Sequence, residues 1–116
     1  MGDPEAFVRL RKWGGERLVR EMVRVFVAQV PERVAAVRQG LRRSEPAAVE
    51  GAAHALKSSS AQLGAPGMRA LCAEIESLAA RGDLSPVPAL AEELEGEFSR
   101  YLEWLPTVVK GAEAPA

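Results

Sequence analysis

Glu16-Arg17-Leu18-Val19-Arg20-Glu21-Met22-Val23-Arg24-Val25-Phe26-Val27-Ala28-Gln29-Val30-Pro31-Glu32-Arg33-Val34-Ala35-Ala36-Val37-Arg38-Gln39-Gly40-Leu41-Arg42 is a long amphipathic run. Its apolar residues Leu18, Met22, Val25, Phe26, Val30, Val34, Val37 and Leu41 recur at steps of three and four, the period of a helix with one face turned to a core. The phase holds across Pro31, which lacks an N–H and crowds the preceding turn. The run therefore reads as one long helix bent at Pro31, or as two abutting helices.

Upstream, Asp3 and Pro4 make an N-cap and first-turn pair. They open a short helix through about Lys12 that stops at Gly14-Gly15, with Phe7, Val8 and Leu10 set to cover one end of a bundle. Downstream, Ser44 and Pro46 open a helix that stops at Gly64, and Pro66 restarts the chain. Met68, Leu71, Cys72, Ile75, Leu78 and Ala79 form the inward stripe of the next helix, which stops at Gly82. Ser85-Pro86 caps a last helix with Val87, Leu90, Leu94, Phe98, Tyr101, Leu102 and Leu105 inward, ended by Pro106. This pattern predicts an all-α fold: an antiparallel up-and-down four-helix bundle with a short additional N-terminal helix as a lid. Residues 1–110 form the single domain, Trp13 and Trp104 are expected to close its ends, and 111–116 is expected to be a disordered tail.

Composition agrees with an all-helical domain of 116 residues: one Tyr, three Phe and two Trp lack the β-branched and aromatic alternation of a sheet. Net charge is −1, but ten Lys/Arg face five Asp/Glu through Arg43, and five face eleven from Ser44 onward. The basic residues are scattered among glutamates without aromatic interleaving, which argues against nucleic-acid binding. A single cysteine, Cys72, excludes an internal disulfide and reads as core filler. No stretch reaches the ~18 apolar residues of a membrane span, so a cytoplasmic, monomeric protein with no membrane association is expected. Met1 and the short tail read as a free-standing protein.

The sole histidine, His54, lies about 160° from the inward Leu56 on an ideal helix and so points outward. Its neighbours on that face, Ala47, Gly51, Ser58 and Ala61, are all small, where a solvated helix would carry long charged side chains. A mid-helix glycine costs roughly 1 kcal/mol relative to alanine. Small side chains there suit a partner that brings its own surface down onto the imidazole, and Gly51, Ser58, Ala61 and Gln62 are the candidate contacts. One histidine cannot complete a metal site or a hydrolytic triad, and there is no phosphate-cradling glycine loop. The imidazole can itself act as a nucleophile toward an activated phosphoryl group. Lys57, three residues on, lies on an adjacent face and can bring its ammonium toward phosphoryl oxygens.

The run His54-Ala55-Leu56-Lys57-Ser58-Ser59-Ser60-Ala61-Gln62-Leu63-Gly64-Ala65 resembles the signature of histidine-containing phosphotransfer (HPt) domains, approximately His-x-Leu-Lys-Gly-Ser-Ser-x-x-Leu-Gly-Ala. Leu71-Cys72 and Ile75-Glu76 are similar to that family's next helix, and the resemblance spans roughly Gly15 to Leu105. It implies a four-helix bundle whose histidine takes a phosphoryl group from a receiver-domain aspartate, of a response regulator or hybrid histidine kinase, and returns it to another receiver. By the same resemblance His54 is phosphorylated at Nε2, Lys57 is the phosphate-side cation, and Glu76 hydrogen-bonds the other ring nitrogen. The protein would then be a phosphocarrier without an intrinsic cofactor or metal, and not an enzyme, any Mg2+ being held by the receiver. Ser58 replaces the family's usual glycine, leaving open whether its hydroxyl aids, slows or narrows transfer. The alternative is a binding-only adaptor that docks receivers without accepting phosphate.

Overall fold

The computed structural model describes residues 2–110, so the expectation for 111–116 lies outside the described residues. Four α-helices run in order: α1 (Glu5–Arg42), α2 (Pro46–Gln62), α3 (Pro66–Ala80) and α4 (Val87–Trp104), followed by a 3-10 turn at Leu105–Thr107. No strand occurs among the described residues. Each helix packs on the next and α4 returns to α1, enclosing one core.

Within α1 only Gly15 leaves helical angles, at φ 68° and ψ −166°, and the helix continues through Pro31. That backbone region is essentially open to glycine alone. The resulting arm, 5–14, is tied down at both ends. The Asp3 N–H donates to the Gly64 carbonyl (2.8 Å), and Asp3 Oδ1 accepts from the Glu5 N–H (3.0 Å). At the other end the Arg11 guanidinium pairs with Glu16 across the kink (2.7 Å) and donates to the Val108 carbonyl. Phe7 is buried against Trp104, with ring centroids 5.9 Å apart.

The core stripe of α1 is Val19, Val23, Phe26, Val30, Val34 and Val37. Phe26, Val30, Val34 and Val37 are inward as expected, but toward the N-terminus the stripe is rotated: Val19 and Val23 are buried, Leu18 and Met22 are half-buried and Val25 is 50% exposed. Apolar residues cover so wide an arc between Leu18 and Val27 that periodicity cannot locate its centre. The helices packed against α1 do. Val8 is also exposed, and Trp13 closes no end of the bundle, being 88% exposed. Trp104 instead packs on Phe7 and Tyr101, whose hydroxyl donates to the Leu63 carbonyl (2.6 Å).

In α2 the inward residues Val49, Ala53, Leu56 and Ser60 are buried, as is Leu63 at its end. Gly40 of α1 admits α2 closely: a methyl group there would lie 2.7 Å from Val49 Cγ2. In α3, Cys72 is fully buried and its thiol is pushed up to about 12. Burial disfavours the thiolate, so this cysteine is inert packing.

Neither serine expected as a cap performs that role. The Ser85 hydroxyl donates to Asp83 Oδ1 (3.2 Å). Ser44 terminates α1 at φ 53°, where its N–H reaches the Leu41 carbonyl and the Glu45 N–H reaches that of Gly40. Gly82 closes α3 by the same pair of reversed bonds, to Ala79 and Leu78. This left-handed closure favours glycine. A left-handed conformation costs a side-chain-bearing residue roughly 1–2 kcal/mol, partly offset by the ~0.5–1 kcal/mol of extra chain entropy a glycine loses. Ser44→Gly is therefore expected to raise unfolding free energy by about 0.5–1 kcal/mol, read as a higher urea midpoint at unchanged slope.

Candidate functional site

The outward face of α2 carries His54, its side chain 62% exposed, together with exposed Ala47, Gly51, Ser58 and Ala61. A methyl group on Gly51 would meet nothing within 4 Å. No contact among the described residues therefore requires glycine at that position.

Lys57, half-buried, reaches the neighbouring α3, where it and the imidazole meet one carboxylate. Glu76 Oε2 lies 2.5 Å from His54 Nδ1, and Glu76 Oε1 lies 2.5 Å from Lys57 Nζ. The Lys57 ammonium, with desolvation opposing it and the hydrogen bond to His54 assisting, holds the Glu76 carboxyl below the ordinary carboxylate range. Glu76 is therefore ionised at neutral pH and can only accept hydrogen bonds. Nδ1 must then carry the proton, which leaves the lone pair of a neutral imidazole on Nε2. Charge, rather than ring geometry alone, selects the free nitrogen.

The structure thus brings His54, Lys57 and Glu76 into one cluster bridging α2 and α3. Gly51, Ser58 and Ala61 share the exposed face of α2, and Ala61 and the exposed Gln62 also line a cavity with Trp13 and Leu10 of the arm. That arm wall was missed from sequence. Its available signal was an aromatic residue placed directly before Gly14-Gly15, where the helix breaks. Among the described residues no group of three or more His, Cys, Asp or Glu could hold a metal ion, and no helix is long and apolar enough to cross a membrane.

Two measurements check the cluster. By 15N NMR, neutral His54 should be the Nδ1–H tautomer, and Glu76→Ala should lose that preference; an unchanged tautomer would remove Glu76 from the arrangement. Because the Glu76 pKa is depressed, its ion pair contributes fully above the unfolded-state carboxyl pKa and is lost as pH falls through the lower folded value. The Glu76 carboxyl resonance should accordingly titrate below 4.5, the ordinary value.

Comparison with known proteins places this geometry. The family model described as Hpt domain matches residues 21–104. Among solved structures, the chain is similar to histidine-containing phosphotransfer protein B (HptB) from Pseudomonas aeruginosa PAO1: 28% identical, covering 85% of each chain, TM-score 0.80. No curated protein matches the sequence. Helical bundle, family signature and solved relative agree, and the chain belongs to the Hpt domain family of phosphorelay proteins.

Proposed function

We propose that this protein is a phosphocarrier of a two-component phosphorelay, with His54 cycling between free and phosphorylated forms. The observation that carries the reading is an exposed imidazole whose Nδ1 faces an ionised carboxylate. The Nε2 lone pair attacks the phosphorus of a receiver's aspartyl phosphate. A P–N bond forms, the P–O bond to the aspartate breaks, and the aspartate departs as a carboxylate. The ring becomes a cation that keeps its Nδ1 proton, and the adjacent Glu76 carboxylate offsets that charge. The reverse steps deliver the group to the aspartate of a second receiver.

Lys57 spends one N–H on Glu76; an ammonium has three, and the others are available to phosphoryl oxygens. Phosphoryl transfer depends mainly on positioning and charge neutralisation, so the receiver supplies the rest, including any Mg2+. No resident cofactor is needed, and the chain acts as an intermediate rather than a catalyst of turnover. Gly51, Ser58, Ala61 and Gln62 form the contact rim, and Ser58 keeps that rim low where the family commonly has glycine. We read the helices, joined by short turns, as an antiparallel up-and-down bundle with the 5–14 arm as its short additional helix, working as a monomer.

Incubation with a phosphorylated receiver is expected to place acid-labile, base-stable label on the wild-type protein and none on His54→Gln. Absence of label from both, with binding retained, would replace the carrier by an adaptor. Lys57→Ala should slow transfer about ten-fold or more at nearly normal affinity, an unaltered rate excluding Lys57 from the mechanism. Gly51→Arg or Ala61→Arg should weaken docking without affecting thermal unfolding, and unchanged affinity in both would move the interface off this face.

A further inference from the structure

The three consecutive serines that follow Lys57 have three different surroundings. The Ser59 hydroxyl donates back to its own helix, to the carbonyls of Ala55 (3.1 Å) and Leu56 (3.4 Å), and Ser60 is buried with its hydroxyl unpartnered. Ser58 alone of the three is exposed. It stands one turn beyond His54, a spacing that sets the two Cβ atoms roughly 5–6 Å apart. Side chains of a helix lean toward its N-terminus, so the Ser58 hydroxyl leans back toward the imidazole.

Which ring nitrogen it meets follows from the ion cluster. At about 100° per residue, Lys57 and Ser58 fall on opposite sides of His54, about 60° one way and about 40° the other. Lys57 marks the α3 side, because its ammonium and His54 Nδ1 both meet Glu76 there. The two nitrogens lie on opposite edges of an imidazole, so a ring whose Nδ1 is held toward α3 presents Nε2 on the Ser58 side. Gly51 lies on that side too, one turn back, and a methyl group added to it would meet nothing within 4 Å. A phosphoryl group on Nε2 therefore stands between open space over Gly51 and a hydroxyl at Ser58.

A phosphoryl group brings three strong acceptor oxygens and negative charge. Lys57 approaches from across the ring with one N–H already given to Glu76, which leaves Ser58 as the donor on the near side. An O–H donated to an anionic oxygen is stronger than a neutral pair. The bond also bears on how the group is lost. When water attacks the phosphorus, the P–N bond breaks, Nε2 takes back its electron pair as a neutral imidazole, and inorganic phosphate departs. In the loose transition state of such a cleavage, electron density moves from the phosphoryl oxygens toward phosphorus. A donor that holds this density on oxygen opposes the cleavage.

We propose that the Ser58 hydroxyl donates a hydrogen bond to the phosphoryl group carried on His54 Nε2 and thereby lengthens the lifetime of the phosphorylated protein. Ser58 then touches the group in transit, beyond keeping the rim low. This bond rests on the carrier reading for its use in a relay, and on the geometry of α2 and α3 for its existence.

The test uses the full chain phosphorylated on His54 with phosphoramidate, where Nε2 attacks phosphorus, the donor's P–N bond breaks and ammonia leaves. No receiver takes part. After removal of the donor, loss of phosphohistidine at neutral pH should be about two-fold or more faster in Ser58→Ala and Ser58→Gly than in the wild type. Ser58→Thr keeps a hydroxyl and should restore most of the lifetime, while Ser59→Ala, whose hydroxyl serves its own helix, should not shorten it. Thermal unfolding is the control, and alanine at an exposed helical position does not weaken the helix. A Ser58→Ala lifetime equal to the wild type's would overturn the bond, as would equal shortening in Ser59→Ala or no restoration by Ser58→Thr. A fall in receiver affinity without any change in lifetime would make Ser58 a docking contact only and would also overturn it. Label that reaches His54 from phosphoramidate but never from a receiver would sink the carrier reading while the lifetimes still decide the bond, so the two fail separately.

Discussion

The close approach of α3 to α2 is the constraint on which the site depends. Both helices bury small residues, Ala52, Ala53 and Ser60 on α2 and Cys72 and Ala79 on α3. Ser60 is buried without a partner for its hydroxyl, so packing there uses its size and not its polarity. This proximity lets one Glu76 carboxylate, 2.5 Å from each of two groups, reach both His54 and Lys57. A bulkier seam would part the helices and leave imidazole, ammonium and carboxylate as three unrelated surface groups.

The opposite side of α2 follows a different logic. Gly40 admits Val49 closely, fixing α2 on the long helix, while the Gly15 kink turns the 5–14 arm across the bundle end. The Asp3, Phe7 and Arg11 ties hold that arm. The histidine consequently stands between the charged pair of α3 and α2 on one side and the apolar wall of α1 on the other.

Particular residues mark how far the sequence could be read. Phe7, Cys72, Ile75 and Leu94 were recognisable as core because their helices are polar on the other side, so the period has one solution. Val25 was misread because the valine-rich arc of α1 is too wide for its period to have a unique centre. Trp13 was misread because burial of an aromatic is the ordinary outcome, and only the direction of the kink exposes it. Ser44 and Ser85 have the composition of caps, yet a left-handed closure and a neighbouring carboxylate claimed them instead. His54 was legible as outward-facing, and Lys57 as its near neighbour, because both follow from spacing along one helix.

What the chain determined by itself is local: helix periods, the stops at Gly64 and Gly82, the break at Gly15, and the small-residue face around His54. These depend on backbone sterics and side-chain spacing within a few residues. What only the tertiary structure decided is how a carboxylate 22 positions away meets the histidine, which residues of α1 turn inward, and where Trp13 is left. Those distances are set by how helices pack against one another, and no spacing along a single helix encodes them.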